Sequence, residues 1–163
     1  MTRQTLFRIM VQISRFGLAA LFLFTAGAKL WIVKAFAANV AELLSATGFS
    51  PARLMWPVTV AVIATEIMTA ILLLLPRTVR TGALFAAALL IGFSGYALYY
   101  RYGLGNAEGL ECGCFGGIIA SQLGVTTALR NLALLVPTFL VFFGYRKRSQ
   151  PTITDYEHFG VAT

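Results

Sequence analysis

Four apolar stretches, 11–33, 54–75, 82–100 and 123–143, dominate this 163-residue sequence, and their ends are defined to about 3 residues. About 20 residues of α-helix, rising about 1.5 Å each, match the hydrocarbon thickness of a bilayer. With 58% hydrophobic and only 12% charged residues, the chain is too apolar for a soluble domain of this size. Inside a bilayer the backbone must satisfy its own hydrogen bonds, which favours helices. The expected fold is therefore all-α: a four-transmembrane-helix antiparallel bundle over residues 1–148. A polar cytoplasmic tail over 149–163 follows, and no internal repeat or second domain is visible.

The start has the outline of a signal peptide: Arg3, Arg8 and Arg15, an apolar run, then Ala26-Gly27-Ala28 as a small-x-small site. The apolar pattern continues through Leu30, Trp31, Ile32 and Val33, so we expect a retained first helix.

The net charge of +7 is arranged for a membrane and not for nucleic acid. Arg3, Arg8, Arg15, Arg77, Arg80, Arg146, Lys147 and Arg148 fall on one side of an even-numbered bundle. Lys29, Lys34, Arg53, Arg101 and Arg130 fall on or near the other. The positive-inside rule then places both termini in the cytoplasm and the 103–122 loop outside. In a bacterium this means the inner membrane with a periplasmic loop, where disulfides persist.

Between the first two spans, Phe36, Val40, Leu43 and Leu44 recur at helical spacing, with Asn39, Glu42 and Ser45 off that stripe. A short amphipathic helix on the outer surface is expected here, ending near Gly48 and serving either as a spacer or as a cover over the thiols. Ser50-Pro51 has the form of an N-cap and first helical residue opening the second span. Residues 76–82 allow only a tight turn between antiparallel neighbours. Tyr96, Tyr99, Tyr100 and Tyr102 form an aromatic belt at the outer end of the third span, and Pro137 predicts a bend in the fourth.

Cys112 and Cys114, the only two cysteines, lie in the outer loop with Gly113 between them. A disulfide across so short a spacing needs a sharply bent backbone, which Gly113 permits. Closing that ring restricts the unfolded chain by only about 1.6 kcal/mol, so the pair is a poor staple. Strained, exposed disulfides are oxidising and exchange readily, which favours a redox role. Soft thiolates also bind Cu(I) or zinc, but the sequence offers no further cysteine, and its one histidine, His158, falls on the opposite side. No metal site is expected; redox exchange, metal handling and an incidental structural pair are the three readings.

Glu111 beside Cys112 opposes thiolate formation, and Arg130, if the loop folds back, counters it. The alternative for Arg130 is an arginine snorkelling to the headgroups. Glu66 sits near the middle of the second span among Val62, Ile63, Ile67 and Met68, where an ionised group is costly. It is either protonated or paired within the bundle. Lys29 is the nearest cation, at a depth roughly two turns away. The roles open to Glu66 are a structural hydrogen bond, a proton relay and part of a quinone pocket.

Four membrane helices with Cys112-Gly113-Cys114-Phe115-Gly116 between the last two resemble the methylamine-utilisation MauE family, within the wider DoxX-like group. Ala26-Gly27-Ala28-Lys29-Leu30 resembles the DoxX-like end of a first helix. Glu66, followed by Leu72–Leu75 and Pro76, resembles the second-helix glutamate pattern, and Arg130-Asn131 the opening of a MauE-like fourth helix. The resemblance covers roughly residues 12–145. It implies a redox-associated membrane protein, a candidate thiol–disulfide oxidoreductase in which Cys112 and Cys114 act with support from Gly113, Phe115, Arg130, Glu66 and Lys29. It also implies a periplasmic thioredoxin-like partner in protein maturation. The competing expectation is a non-catalytic accessory subunit of a larger membrane redox complex. Without a second cysteine pair, electrons from Cys112 and Cys114 need a bound quinone near the loop or a partner protein.

Overall fold

A computed structural model of the chain describes residues 2–103 and 125–145. It is all-α, with five α-helices among the described residues: α1 Arg3–Trp31, α2 Val33–Ala46, α3 Pro51–Leu74, α4 Val79–Leu98 and α5 Val125–Gly144. A π-helical turn, Tyr99–Gly103, prolongs α4. Three helices, α1, α3 and α4, are long and apolar enough to cross a membrane, and α5 is apolar over Ala128–Gly144.

α1 starts at Arg3 instead of at residue 11. Residues 3–10 hold no glycine or proline and are rich in good helix formers, so the helix propagates back past the apolar stretch. It stops at a single non-helical residue, Ile32 (φ −114°, ψ 38°), from which α2 sets off in a new direction. α2 closes with a left-handed Gly48 (φ +79°). Phe49 N–H donates to Leu44 O (2.9 Å) and Gly48 N–H to Ser45 O (3.1 Å), the paired bonds of a Schellman cap. Ser50 does occupy the N-cap of α3 with Pro51 following, but its hydroxyl makes no capping bond. α5 runs through Pro137 as one helix.

α1 contacts α3 and α5, while α4 contacts α3 and α5, so these four helices touch in a closed order; α2 packs mainly against α3. One core joins Leu18 and Phe22 of α1, Ala70 and Leu73 of α3, Ala83 and Leu90 of α4, and Val141 of α5. A second joins Ala26, Ile63 and the α2 residues Phe36 and Val40. The tight turn brings Gly82 so close to α3 that a Cβ there would lie 2.8 Å from Leu73 N. Many large apolar side chains, including Ile13, Val60, Leu84, Leu129 and Val136, face outward, consistent with a lipid environment. The buried hydroxyls of Thr59, Thr69, Ser94 and Thr138 donate to carbonyls four residues earlier in their own helices (2.7–2.8 Å). Their polarity is thereby consumed within the helix.

Candidate functional site

The buried face of α1 runs Val11, Arg15, Leu18, Phe22, Thr25, Lys29. Steps of three and four residues align these on one side of a helix, so three polar side chains share a stripe with the core.

All three polar positions meet α3. Lys29 Nζ donates to Glu66 Oε1 (2.7 Å) and Oε2 (2.9 Å). Both side chains are almost fully buried, at 1% and 2% exposure. The sequence estimate left them two turns apart, and the structure corrects it through side-chain direction. α1 and α3 run in opposite senses here, since Arg15 meets Leu73 while Lys29 meets Glu66. Side chains on a helix lean toward its own N-terminus, so Lys29 and Glu66 lean toward each other and close the gap. The Thr25 hydroxyl lies within hydrogen-bonding reach of the Glu66 carboxylate and of Phe22 O (3.0 Å). α2 roofs the pair: the Phe36 ring centroid is 5.6 Å from Lys29 Nζ. A buried charge pair of this kind is tolerated only when each partner satisfies the other, and here the carboxylate accepts from the ammonium through both oxygens.

Arg15 was expected to mark a membrane flank, but it is buried at the far end of the same stripe. Its Nε donates to Leu73 O (2.6 Å) and one terminal nitrogen to Leu74 O (2.5 Å). The other terminal nitrogen donates to Tyr145 Oη (2.7 Å). These bonds satisfy end carbonyls of α3 and place a cation at that helix's negative end. One side chain thus ties α1, α3 and the residue after α5.

Arg130 and Asn131, expected at the opening of the fourth span, lie in the second turn of α5, which begins at Val125. Asn131 is buried and its Nδ2 has no hydrogen-bond partner among the described residues, while Arg130 is half-buried. At the end of α4, Tyr96 Oη donates to Leu43 O of α2 (3.3 Å), while Tyr99 and Tyr102 stay exposed. Cys112, Gly113, Cys114 and Phe115 lie outside the described residues, as does the 149–163 tail. Among the described residues no group of three or more His, Cys, Asp or Glu gathers. Sequence reasoning missed Arg15, Thr25 and Phe36. The signal was present for the first two, because both fall on the three-four stripe that leads to Lys29.

A family model described as methylamine utilisation protein MauE matches residues 7–144, a span that takes in all five helices' cores and both cysteines. No curated protein and no solved structure matches the chain.

Proposed function

The chain belongs to the MauE family, and on that premise we propose that it is a multi-pass membrane protein of methylamine utilisation that exchanges disulfides through Cys112 and Cys114. In this reading α1, α3, α4 and α5 cross the bilayer as an antiparallel bundle, with both termini cytoplasmic and α2 on the outer side. The observation that carries it is the Cys-Gly-Cys-Phe-Gly sequence inside the matched span, between α4 and α5.

The exchange begins when a thiolate of a thioredoxin-like partner attacks one sulfur of the Cys112–Cys114 disulfide. That bond breaks, a mixed disulfide forms, and the other cysteine leaves as thiolate. The partner's second thiolate then resolves the mixed bond, leaving the partner oxidised and the pair carrying two electrons. A quinone or a second redox protein accepts those electrons and restores the disulfide. Contacts among the helices hold the α4 end of the segment and the bundle beside it. Tyr96 ties the end of α4 to α2, and Lys29 and Glu66 fix α1 against α3. In the second turn of α5, the helix that follows the segment, Arg130 and Asn131 supply positive charge and a free amide donor.

Replacing Cys114 by Ser prevents the internal disulfide but lets the Cys112 thiolate run the exchange in reverse. It attacks an oxidised partner's disulfide and expels one partner sulfur as thiolate, with no second thiol in this chain to release the adduct. The expected result is a thiol-sensitive covalent adduct on Cys112, or on Cys114 in the converse variant, absent when both are replaced. If neither single variant forms an adduct and substrate oxidation is unchanged in the double variant, the exchange reading fails.

A second reading, a non-catalytic accessory subunit, draws on α4. Ala88, Gly92 and Gly95 lie on its exposed side, and a Cβ at either glycine would meet nothing within 4 Å. Small residues let a neighbouring membrane helix approach closely. Stoichiometric co-purification with a larger complex, retained without either cysteine, supports this reading.

A further inference from the structure

A cavity of about 610 Å³ lies at the Arg15 end of the helices, between the first turns of α1 and the end of α5. Arg3, Arg8 and Gln4 form its polar side, Phe7 and Val11 its apolar side, and Tyr145 its inner edge. None of the roles above uses it. We propose that it binds the phosphate headgroup of an anionic glycerophospholipid.

Three observations carry this. The first is charge. Among the described residues, Arg3 and Arg8 make no ion pair or hydrogen bond. The only carboxylates described, Glu42 and Glu66, belong to α2 and to the Lys29 pair. Nothing in the described fold at this end neutralises the two guanidinium groups.

The second is depth. Arg15 caps the last carbonyls of α3, so α1 continues beyond the ends of its neighbours. At 1.5 Å per residue, Arg8 lies about 10 Å and Arg3 about 18 Å past Arg15 along the axis. This stretch leaves the hydrocarbon and enters the headgroup layer. The third is shape and chemistry. Gly144 lets the end of α5 pack directly on Val11, where a Cβ would come within 2.6 Å of that side chain. The contact closes one wall, and Phe7 and Val11 give the cavity an apolar side against which the start of an acyl chain can rest. Guanidinium groups form forked hydrogen bonds to phosphate oxygens. The side faces of α1, not its terminal N–H groups, build the site.

The test uses the full chain reconstituted in vesicles of phosphatidylglycerol and phosphatidylethanolamine in equal parts, with retained lipid counted by native mass spectrometry. A charge-assisted hydrogen bond from a guanidinium to a phosphate oxygen contributes about a tenfold preference. Arg3→Gln and Arg8→Gln should each lower phosphatidylglycerol retention about tenfold, and together about 100-fold. Arg77→Gln, which removes an exposed charge at the same end but outside the cavity, should change retention little. Unchanged thermal midpoints in all variants keep the comparison interpretable. Equal losses in the Arg77 variant would show a diffuse charge effect and overturn the site. Full retention in the double variant would overturn it too. Should residues 149–163 then resist protease in the wild type and not in the double variant, the cavity's occupant is this chain's own tail.

Discussion

The Lys29 ammonium lies 2.7 and 2.9 Å from the two carboxylate oxygens of Glu66, sealed between α1 and α3 beneath Phe36. Thirty-seven residues apart in sequence, the two groups lock the first two long helices at one depth. At the other end Arg15 performs the equivalent task with backbone carbonyls instead of a carboxylate.

Removing one partner of the ion pair should be far worse than removing both. Lys29→Met strands a buried carboxylate, and the cost expected for breaking such a pair is about 3–5 kcal/mol. Lys29→Met combined with Glu66→Leu should recover most of that loss. Thermal unfolding of the purified protein in detergent, read as a double-mutant cycle, checks it. Additive losses would show that the two groups are not coupled.

Arg15 and Arg8 look alike in sequence but should differ sharply in consequence. Arg15→Gln removes charge-assisted bonds to Leu73 O, Leu74 O and Tyr145, each bond being worth about 1.5–3 kcal/mol. Arg8→Gln, at an exposed position, should stay within about 0.5 kcal/mol. Tyr145→Phe should fall between them, near 1 kcal/mol. Denaturation midpoints for the three variants order them directly.

Two glycines of α4 separate packing within the protein from packing against a partner. Gly82→Ala drives a Cβ into the α3 backbone at Leu72 and Leu73, an overpacking expected to cost about 1–3 kcal/mol. Gly92→Ala meets open space and should leave the isolated protein as stable or more so, by up to about 1 kcal/mol from helix propensity. If Gly92→Ala weakens co-purification of a membrane partner while preserving stability, the accessory-subunit reading gains.

The apolar stretches made the long helices legible because lipid-facing and core-facing residues are both hydrophobic, so span length alone reports them. The same uniformity hid the start of α1. Hydropathy detects the membrane and not the helix, and Arg3 to Met10 are helical while mixing polar and apolar residues. Lys29 and Glu66 were visible as misplaced charges, but linear depth kept them apart, because rise per residue ignores the direction in which side chains lean. Arg15 was hidden by its neighbours: three arginines in one basic run suggested one common role, and only the Val11–Lys29 stripe distinguishes the third. The α2 helix was legible from its periodicity, whereas its place over the ion pair depends on the break at Ile32, which no residue type signals. Cys112 and Cys114 stand out by composition alone, so their reading rests on chemistry and on the family match.

The most direct test of the exchange reading is the midpoint potential of the Cys112–Cys114 couple in native membranes, measured by equilibration with glutathione buffers and thiol alkylation. A redox-active pair should titrate in the range of exchange proteins, between about −270 and −120 mV, and convert fully and reversibly. A couple well below about −300 mV, that of an inert structural disulfide, would contradict the account.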